Sequence, residues 1–338
     1  GKGGTIHSCG HSIQTAAGLT VLEALQKTNV LAETDGKVTV FFTPAEEFID
    51  FAYRDQLIAE GKIRSRSGKQ DMILSGVFDG VDCILSCHAN GEAEARFDIG
   101  STLAGFLAKK AVFHGTASHS GVAAHLGKNA LHGAVLCQNA IAFLKDQFPP
   151  EAGIRLHPVL TSCSGDVNTI PDQAVLEMYL RANTQEILLD CDARLNQCIH
   201  NCGQALGLDV TVENTPGYLP LAQSKKINAV VEKNMRLFCR GEEDIIHGPV
   251  SGASGDVGDL GYLIPTVQFG FSGIQGRFHS DQFAVIDPEN CYIRTAKILC
   301  GTILDLFAQK ELRDYPVSYE EKKAWYCKDW LKCTAKIS

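Results

Sequence analysis

Apolar and polar positions follow two alternating patterns along this chain, and the switches between them outline most of its elements. From Ile13 to Leu25 the apolar residues Ala16, Ala17, Val21, Leu22 and Leu25 recur at helical spacing, which predicts a helix that lays one stripe on a core. The run Val38-Thr39-Val40-Phe41-Phe42 predicts a strand, followed by a helix over Phe48 to Ala59 and a polar loop through Ser65-Arg66-Ser67-Gly68-Lys69. A second run, Cys83 to Cys87, predicts a strand that delivers His88 at its end. Strands alternating with helices imply an α/β fold with a mostly parallel central sheet and functional groups at the carboxyl ends of its strands.

From about Ala104 the pattern changes. A strand over Ala108 to His114, a helix over Asn129 to Phe148, strands near Ile154 to Thr161 and Ala174 to Arg181, a helix over Ile187 to Leu206 and a strand at Asp209 to Val212 follow one another. Strand, helix, two strands, helix, strand is the order of a ferredoxin-like α+β unit. The first pattern then resumes with a helix over Ala222 to Arg240, a buried strand at Thr266 to Phe271 and a long helix over Pro288 to Gln309. The expected division is one domain made of residues 1–102 and 217–312, an inserted domain at 103–216 and a tail at 313–338. That tail is aromatic and charged around Trp325 and Trp330 and should pack on the surface.

The chain has 338 residues, 45% of them apolar, enough to bury a substantial core. Its formal net charge of -8 comes without a block of like charges, so nucleic acid is a poor partner. No apolar stretch is long enough to cross a bilayer, and the amino-terminal residues lack a signal-peptide apolar region, so the expected location is the cytoplasm. The 13 cysteines are scattered and odd in number, which argues for a reducing compartment rather than a disulfide framework. The pairs Cys83 with Cys87 and Cys198 with Cys202 read as buried apolar thiols, because no matching second pair follows either of them.

Chemistry concentrates at two places. Glu46 and Glu47 stand side by side just after the run ending at Phe42, and upstream lies His7-Ser8-Cys9-Gly10-His11. Adjacent carboxylates at the end of a buried segment are costly unless something positive meets them, and a metal ion is the simplest such partner. Thiolate, imidazole and carboxylate all bind zinc-like ions, and a second carboxylate beside a ligand can act as base on an activated water. Cys9 and His11 sit where a loop enters a helix, a position that favours an anionic ligand. His88 and His279 have the residue type and placement to complete such a site, although either alone reads as well as a structural histidine.

Taken in order, Cys9-Gly10-His11, Pro44-Ala45-Glu46-Glu47, His88, Gly115-Thr116-Ala117-Ser118-His119-Ser120, Gly127-Lys128-Asn129-Ala130, Asn168-Thr169-Ile170-Pro171, Ala253-Ser254-Gly255-Asp256 and His279-Ser280-Asp281-Gln282-Phe283 resemble one metallopeptidase family. It is the amidohydrolase family of carboxypeptidase G and aminoacylase, in the branch of auxin-conjugate and p-aminobenzoyl-glutamate hydrolases, and the resemblance runs from about His7 to Leu306. It implies a three-layer zinc-peptidase-like catalytic domain with an inserted ferredoxin-like dimerisation, or lid, domain. It also implies a site for two divalent metal ions, zinc or manganese first and cobalt or nickel next, held by Cys9, His11, Glu47, His88 and His279, with Cys9 in the bridging position. Glu46 is then the general base, taking a proton from a metal-activated water and passing it to the departing amine. His119 would stabilise the oxyanion in the partner subunit's site of a homodimer, and Asn168 and Arg181 would hold the free carboxylate of an N-acyl or N-aroyl amino acid or small dipeptide. Asp256 matches an acid near the last ligand. Gly252 and Gly255 read as backbone-shaping positions, and His114 as structural.

Two departures from the family pattern stand out. Ser12 occupies the place of an acid that usually follows the Cys-Gly-His triplet. The family also carries some dozens of residues before that triplet, so either the sequence is a fragment or processed form, or the fold has lost edge elements of its sheet. Two other readings compete: Cys9 as a nucleophile with His11 as base, and a catalytically silent member that binds a conjugate or serves in an assembly. The first lacks an oxyanion motif and a third orienting group. Retention of all the ligand residues and of Glu46 argues against the second.

Overall fold

The computed structural model describes residues 6–32, 34–90, 95–309 and 318–332 and divides into two compact units. The first comprises residues 1–102, 222–251 and 259–338, and the second residues 103–221 and 252–258.

The first unit opens with α1 (His11–Thr28), α2 (Phe51–Ala59) and α3 (Gly68–Leu74), then β1 (Ile84–Ala89) and β2 (Phe97–Ile99). Ile13, Ala17, Val21 and Leu25 form the buried stripe of α1 at steps of four, while Leu22 stays 37% exposed. Each such aliphatic side chain contributes about 1.5–3 kcal/mol through burial.

The expected strand at Val38 to Phe42 is not formed. The segment joins no ladder, and what holds it is side-chain packing: Val40 and Phe42 lie over Gly18 of α1, and the Phe41 and Phe78 rings stand 4.8 Å apart. The run is also only half-buried, with Phe42 48% exposed, and a strand requires a hydrogen-bonding neighbour that it lacks among the described residues. The helix that follows begins at Phe51 instead of Phe48, leaving the acidic pair in an irregular loop.

The second unit carries β3 (Gly105–His114), β4 (Ser118–His119), α4 (Ala130–Lys145), β5 (Arg155–Leu156), β6 (Val159–Cys163), β7 (Thr169–Ile170), β8 (Gln173–Ala182), α5 (Gln185–Ala205) and β9 (Asp209–Pro216). Strands β5 and β6 both pair with β8, which pairs with β3, which pairs with β9, all antiparallel. Helices α4 and α5 pack on this sheet and on each other, giving the ferredoxin-like order read from the sequence. Asn129 and Thr184 cap these helices, each accepting a backbone N–H three residues on, as short polar side chains at an N-cap do.

The chain then completes the first unit with α6 (Lys225–Arg236), β10 (Ile245–His247), α7 (Val257–Leu263), β11 (Thr266–Phe271), β12 (Ile274–Gln275), β13 (Ala284–Val285), α8 (Thr295–Ala308) and α9 (Tyr319–Trp325). Helix α7 begins in the last residues assigned to the second unit. The main sheet has the order β1-β11-β2-β10, in which β1 with β11 and β2 with β10 are parallel and β2 with β11 is antiparallel. Every residue of β11 is buried, the mark of a strand covered on both faces. Within the tail, Tyr319 and Tyr326 are fully buried and Tyr319 donates to Asp79 at 2.6 Å; residues 313–317 and 333–338 lie outside the described set.

Candidate functional site

Three loops of the first unit, together with the end of β1 that carries His88, bring the metal-ligand candidates together, and each loop contains a left-handed backbone residue. Gly10 (φ 90°) lies between Cys9 and His11, Ala45 (φ 54°) precedes the two glutamates, and His279 (φ 60°) is itself left-handed. For Ala45 and His279 that conformation costs about 1–2 kcal/mol, and such strain collects where surrounding structure enforces a functional shape. At Gly10 a side chain is excluded on a second ground, since a Cβ would stand 2.9 Å from that of Ala89, beside His88. The His279 N–H donates to the Ser8 carbonyl at 2.8 Å, tying the last loop to the first.

The functional atoms converge. Cys9 Sγ is 3.9 Å from His88 Nε2, and His11 Nε2 lies 3.0 Å from Glu46 Oε2 and 3.4 Å from Glu47 Oε1. His279 Nε2 is 3.3 Å from the same Glu47 oxygen. Three overlapping sets, Cys9 with His11 and His88, Cys9 with Glu47 and His279, and His11 with Glu46 and Glu47, each group ligand atoms within 4.8 Å of one another.

The imidazoles are held from behind. His11 Nδ1 meets Gln14 Oε1 at 2.7 Å, and Gln14 in turn donates to the Cys87 carbonyl. His88 Nδ1 meets the Ala89 carbonyl at 2.8 Å. Because carbonyl oxygens only accept, both Nδ1 atoms carry a proton, and both Nε2 atoms face inward as the positions that could ligate a metal. The His11 Nε2 is buried beside the Glu46 and Glu47 carboxylates and the Cys9 thiol, so in the absence of a metal a proton is favoured there. Burial pulls the His11 pKa down, but Cys9, Glu46 and Gln14 outweigh it and raise it to about 11. Burial is likewise the largest influence on Glu46, and His11 overrides it to keep the carboxyl below its ordinary range. Burial holds His88 below the usual histidine value and so neutral, as a ligand must be. A cluster of lone pairs that calls for a proton at its centre has the donor set of a cation site, and thiolate, imidazole and carboxylate together suit a borderline divalent ion.

Two supporting residues carried no signal that the sequence reading used. Gln14 stands one helical turn after His11, on the same face. Ser12, at the place of the family's usual acid, is exposed, so the orienting contact to His11 comes from Gln14 instead. Arg54, buried in α2, donates at 2.6 Å to both the Glu47 and Arg66 carbonyls, and Arg66 forms a fork on Asp55 at 2.6 and 2.9 Å. The polar segment between Glu47 and His88 thus braces the acidic loop.

The second unit holds the remaining candidates. His119 in β4 faces Thr169 of β7, and the Ser120 N–H donates to the Asn168 carbonyl at 2.8 Å, so His119 and Asn168 are brought side by side. The His119 Nδ1 accepts from the Gly121 N–H at 3.1 Å, which leaves Nε2–H as the free donor. Arg181 in β8 donates to the Gly252 carbonyl and to Ser254 Oγ, both at 3.1 Å, and stacks over Phe106. Asp256 is buried in the same unit, and His114 meets Thr211 Oγ1 at 3.0 Å, as a structural histidine would.

A model of peptidase family M20/M25/M40 matches residues 1–305. The chain belongs to this family. It is 27% identical over 322 residues to the Xaa-Arg dipeptidase of Mus musculus, covering 90% of this chain and 68% of that relative. It is 28% identical over 214 residues to an indole-3-acetyl-aspartic acid hydrolase from Enterobacter agglomerans, covering 61% of this chain and 43% of the other. A dinuclear metal binding peptidase of the M20 family from Bacillus subtilis has the same fold, with a TM-score of 0.66 at 17% identity over 89% of this chain and 74% of its own. As a family member the chain is a metal-dependent amidohydrolase or peptidase. No helix among the described residues is long and apolar enough to cross a membrane.

Proposed function

We propose that this M20/M25/M40 peptidase hydrolyses the amide bond of an N-acyl or N-aroyl amino acid or small dipeptide, using two divalent metal ions held by Cys9, His11, Glu47, His88 and His279. The observation that carries the reading is the inward-facing set of thiol, imidazole and carboxylate atoms, grouped in overlapping sets whose ligand atoms lie within 4.8 Å of one another. Bound metal ions would polarise the scissile carbonyl and acidify the attacking water. Zinc or manganese suits the mixed donors best, and cobalt or nickel remains compatible.

The protein's own part is proton transfer and orientation. Glu46 is ionised and close to His11, so it can take the proton of the attacking water and hand it to the leaving nitrogen. In the second unit, His119 offers Nε2–H to the developing oxyanion, a contact worth about 3–4 kcal/mol when well aimed. Asn168 and Arg181 hold the free carboxylate, for which a guanidinium fork is suited. The inserted domain, residues 103–216, would join two chains into a homodimer in which each His119 serves the partner's site. The unpaired cysteines suit a cytoplasmic setting.

The test is turnover of a panel of acylated amino acids by metal-loaded protein. Wild type should release the free amino acid, and Glu46→Gln should bind metal equally while losing about 10²–10⁴-fold in kcat. Full activity of Glu46→Gln, or activity that survives chelation, would remove this reading in favour of Cys9 as nucleophile.

A further inference from the structure

Arg155 stands directly opposite Arg181 on the antiparallel pair β5 and β8. Like charges in direct cross-strand register repel, and a sheet that keeps such a pair usually does so for another reason. Both guanidinium groups converge on one residue. Arg181 donates to the Gly252 carbonyl, while the Arg155 guanidinium lies so close over the Gly252 Cα that any Cβ there would collide with Nη1. Glycine at 252 leaves room for the second cation to lie against the backbone.

Among the described residues the pair has no internal counter-charge. The contacts of Arg181 are a carbonyl, a hydroxyl and the Phe106 face, none of them a carboxylate. The Arg155 side chain is exposed and makes no hydrogen bond or ion pair among the described residues. Burial first, and Arg155 second, lower the Arg181 pKa, as expected of a cation beside an uncompensated cation. By contrast Lys109, on the neighbouring strand β3, is matched by Asp192, Asn196 and Asn214.

We propose that Arg155 is a specificity residue which, with Arg181, selects substrates whose amino-acid half carries two carboxylates, aspartyl or glutamyl conjugates, over those ending in a neutral or basic residue. The inference rests on the hydrolase reading, in which Arg181 receives the α-carboxylate. One guanidinium then serves that carboxylate and the second serves the side-chain carboxylate, each through parallel N–H donors. A substrate arginine in the same place would add a third cation. The preference therefore runs with the aspartyl conjugate named for the Enterobacter relative and against the Xaa-Arg dipeptide named for the mouse one.

Matched N-benzoyl-glutamate and N-benzoyl-glutamine test this with the metal-loaded full chain. Wild type should favour glutamate in kcat/KM by roughly tenfold or more, the scale of one charge-assisted contact at an exposed site. Arg155→Gln should collapse that ratio mainly through the KM for glutamate, and Arg155→Lys should restore part of it. The melting temperature of Arg155→Gln should match or exceed that of wild type, because the variant relieves a like-charge pair and a structural arginine would do the reverse. An unchanged glutamate-to-glutamine ratio in a variant that still turns both over would overturn the Arg155 proposal and leave hydrolysis standing. If wild type hydrolysed no member of the panel of acylated amino acids and dipeptides, the hydrolase reading would fail instead. Calorimetric binding of N-benzoyl-glutamate would then decide the arginine pair: weaker binding in Arg155→Gln upholds it, and equal or absent binding sinks it.

Discussion

Two polar clusters of this molecule, one in each unit, make opposite use of charge. In the second unit, Lys109 has a fully buried side chain, and its ammonium donates to Asn196 Oδ1 at 2.6 Å and Asn214 Oδ1 at 2.5 Å and forms an ion pair with Asp192 Oδ1 at 2.7 Å. In the first unit, the Cys9, His11, Glu47, His88 and His279 ligand atoms face one another with lone pairs inward and strained backbone holding them there. The first arrangement is closed and serves the fold. The second is open and, on the proposed reading, would be completed by a cation from solution, which is what would set it apart as the functional one.

The comparison can be broken at either end. The largest effect should come from the closed cluster: Lys109→Met strands Asp192 beside a sheet and should cost about 3–5 kcal/mol of unfolding free energy in denaturant titrations. A loss below ~1 kcal/mol would mean that the ammonium is not the keystone of that cluster. The open cluster should behave the other way, gaining stability only when it is filled. Divalent metal at a hundredfold above its Kd should add about 2.7 kcal/mol, read as a rise in melting temperature that chelator reverses. The Lys109→Met deficit should persist with metal present, since the two clusters lie in separate units.

Much of this was legible in the sequence, and the exceptions have physical causes. The ferredoxin-like order of strands and helices, the buried strand Thr266–Phe271 and the stripe of α1 follow from periodicity, because packing a two-fold or 3.6-fold pattern leaves few alternatives. The strand expected at Val38 to Phe42 failed because a strand needs a ladder partner, which periodicity does not report. The ligand candidates were visible as residue types, yet their convergence depends on Gly10, Ala45 and His279 adopting left-handed geometry, and only the glycine announces that tendency in sequence. Gln14, Arg54 and Arg155 escaped notice for a related reason. Gln14 acts on the His11 ring and the Cys87 carbonyl, Arg54 on two carbonyls and Arg155 beside a distant charge, and none of these contacts leaves a motif.

Smaller effects sharpen the picture. Gln14→Ala removes the acceptor behind His11 and should weaken metal affinity roughly 10–100-fold while leaving the helix folded, as metal titration followed by calorimetry would reveal. Unchanged affinity would mean that His11 is oriented by packing alone.

Smallest is an acid-limb effect remote from the site. Arg240 grips Asp244 at 2.6 Å with Arg96 nearby, and this pairing outweighs burial to hold the carboxyl down to about 2. A carboxyl whose folded pKa lies below its unfolded value stabilises the fold above the unfolded value and loses that contribution as pH falls through the folded one. Stability should therefore decline from about pH 4 toward pH 2, and the decline should be shallower in Asp244→Asn. Parallel curves for the two proteins would exclude this pair as a contributor.

The central claim is that the open cluster of the first unit is a cation site. Its most direct measurement is a titration of metal-stripped protein with zinc or manganese at neutral pH, followed by elemental analysis of the protein recovered after gel filtration. The account predicts uptake of two ions per chain by wild type and by Glu46→Gln, with uptake lost or halved in Glu47→Ala and His88→Ala. Protein that retains no metal, or variants that bind as wild type does, would contradict it.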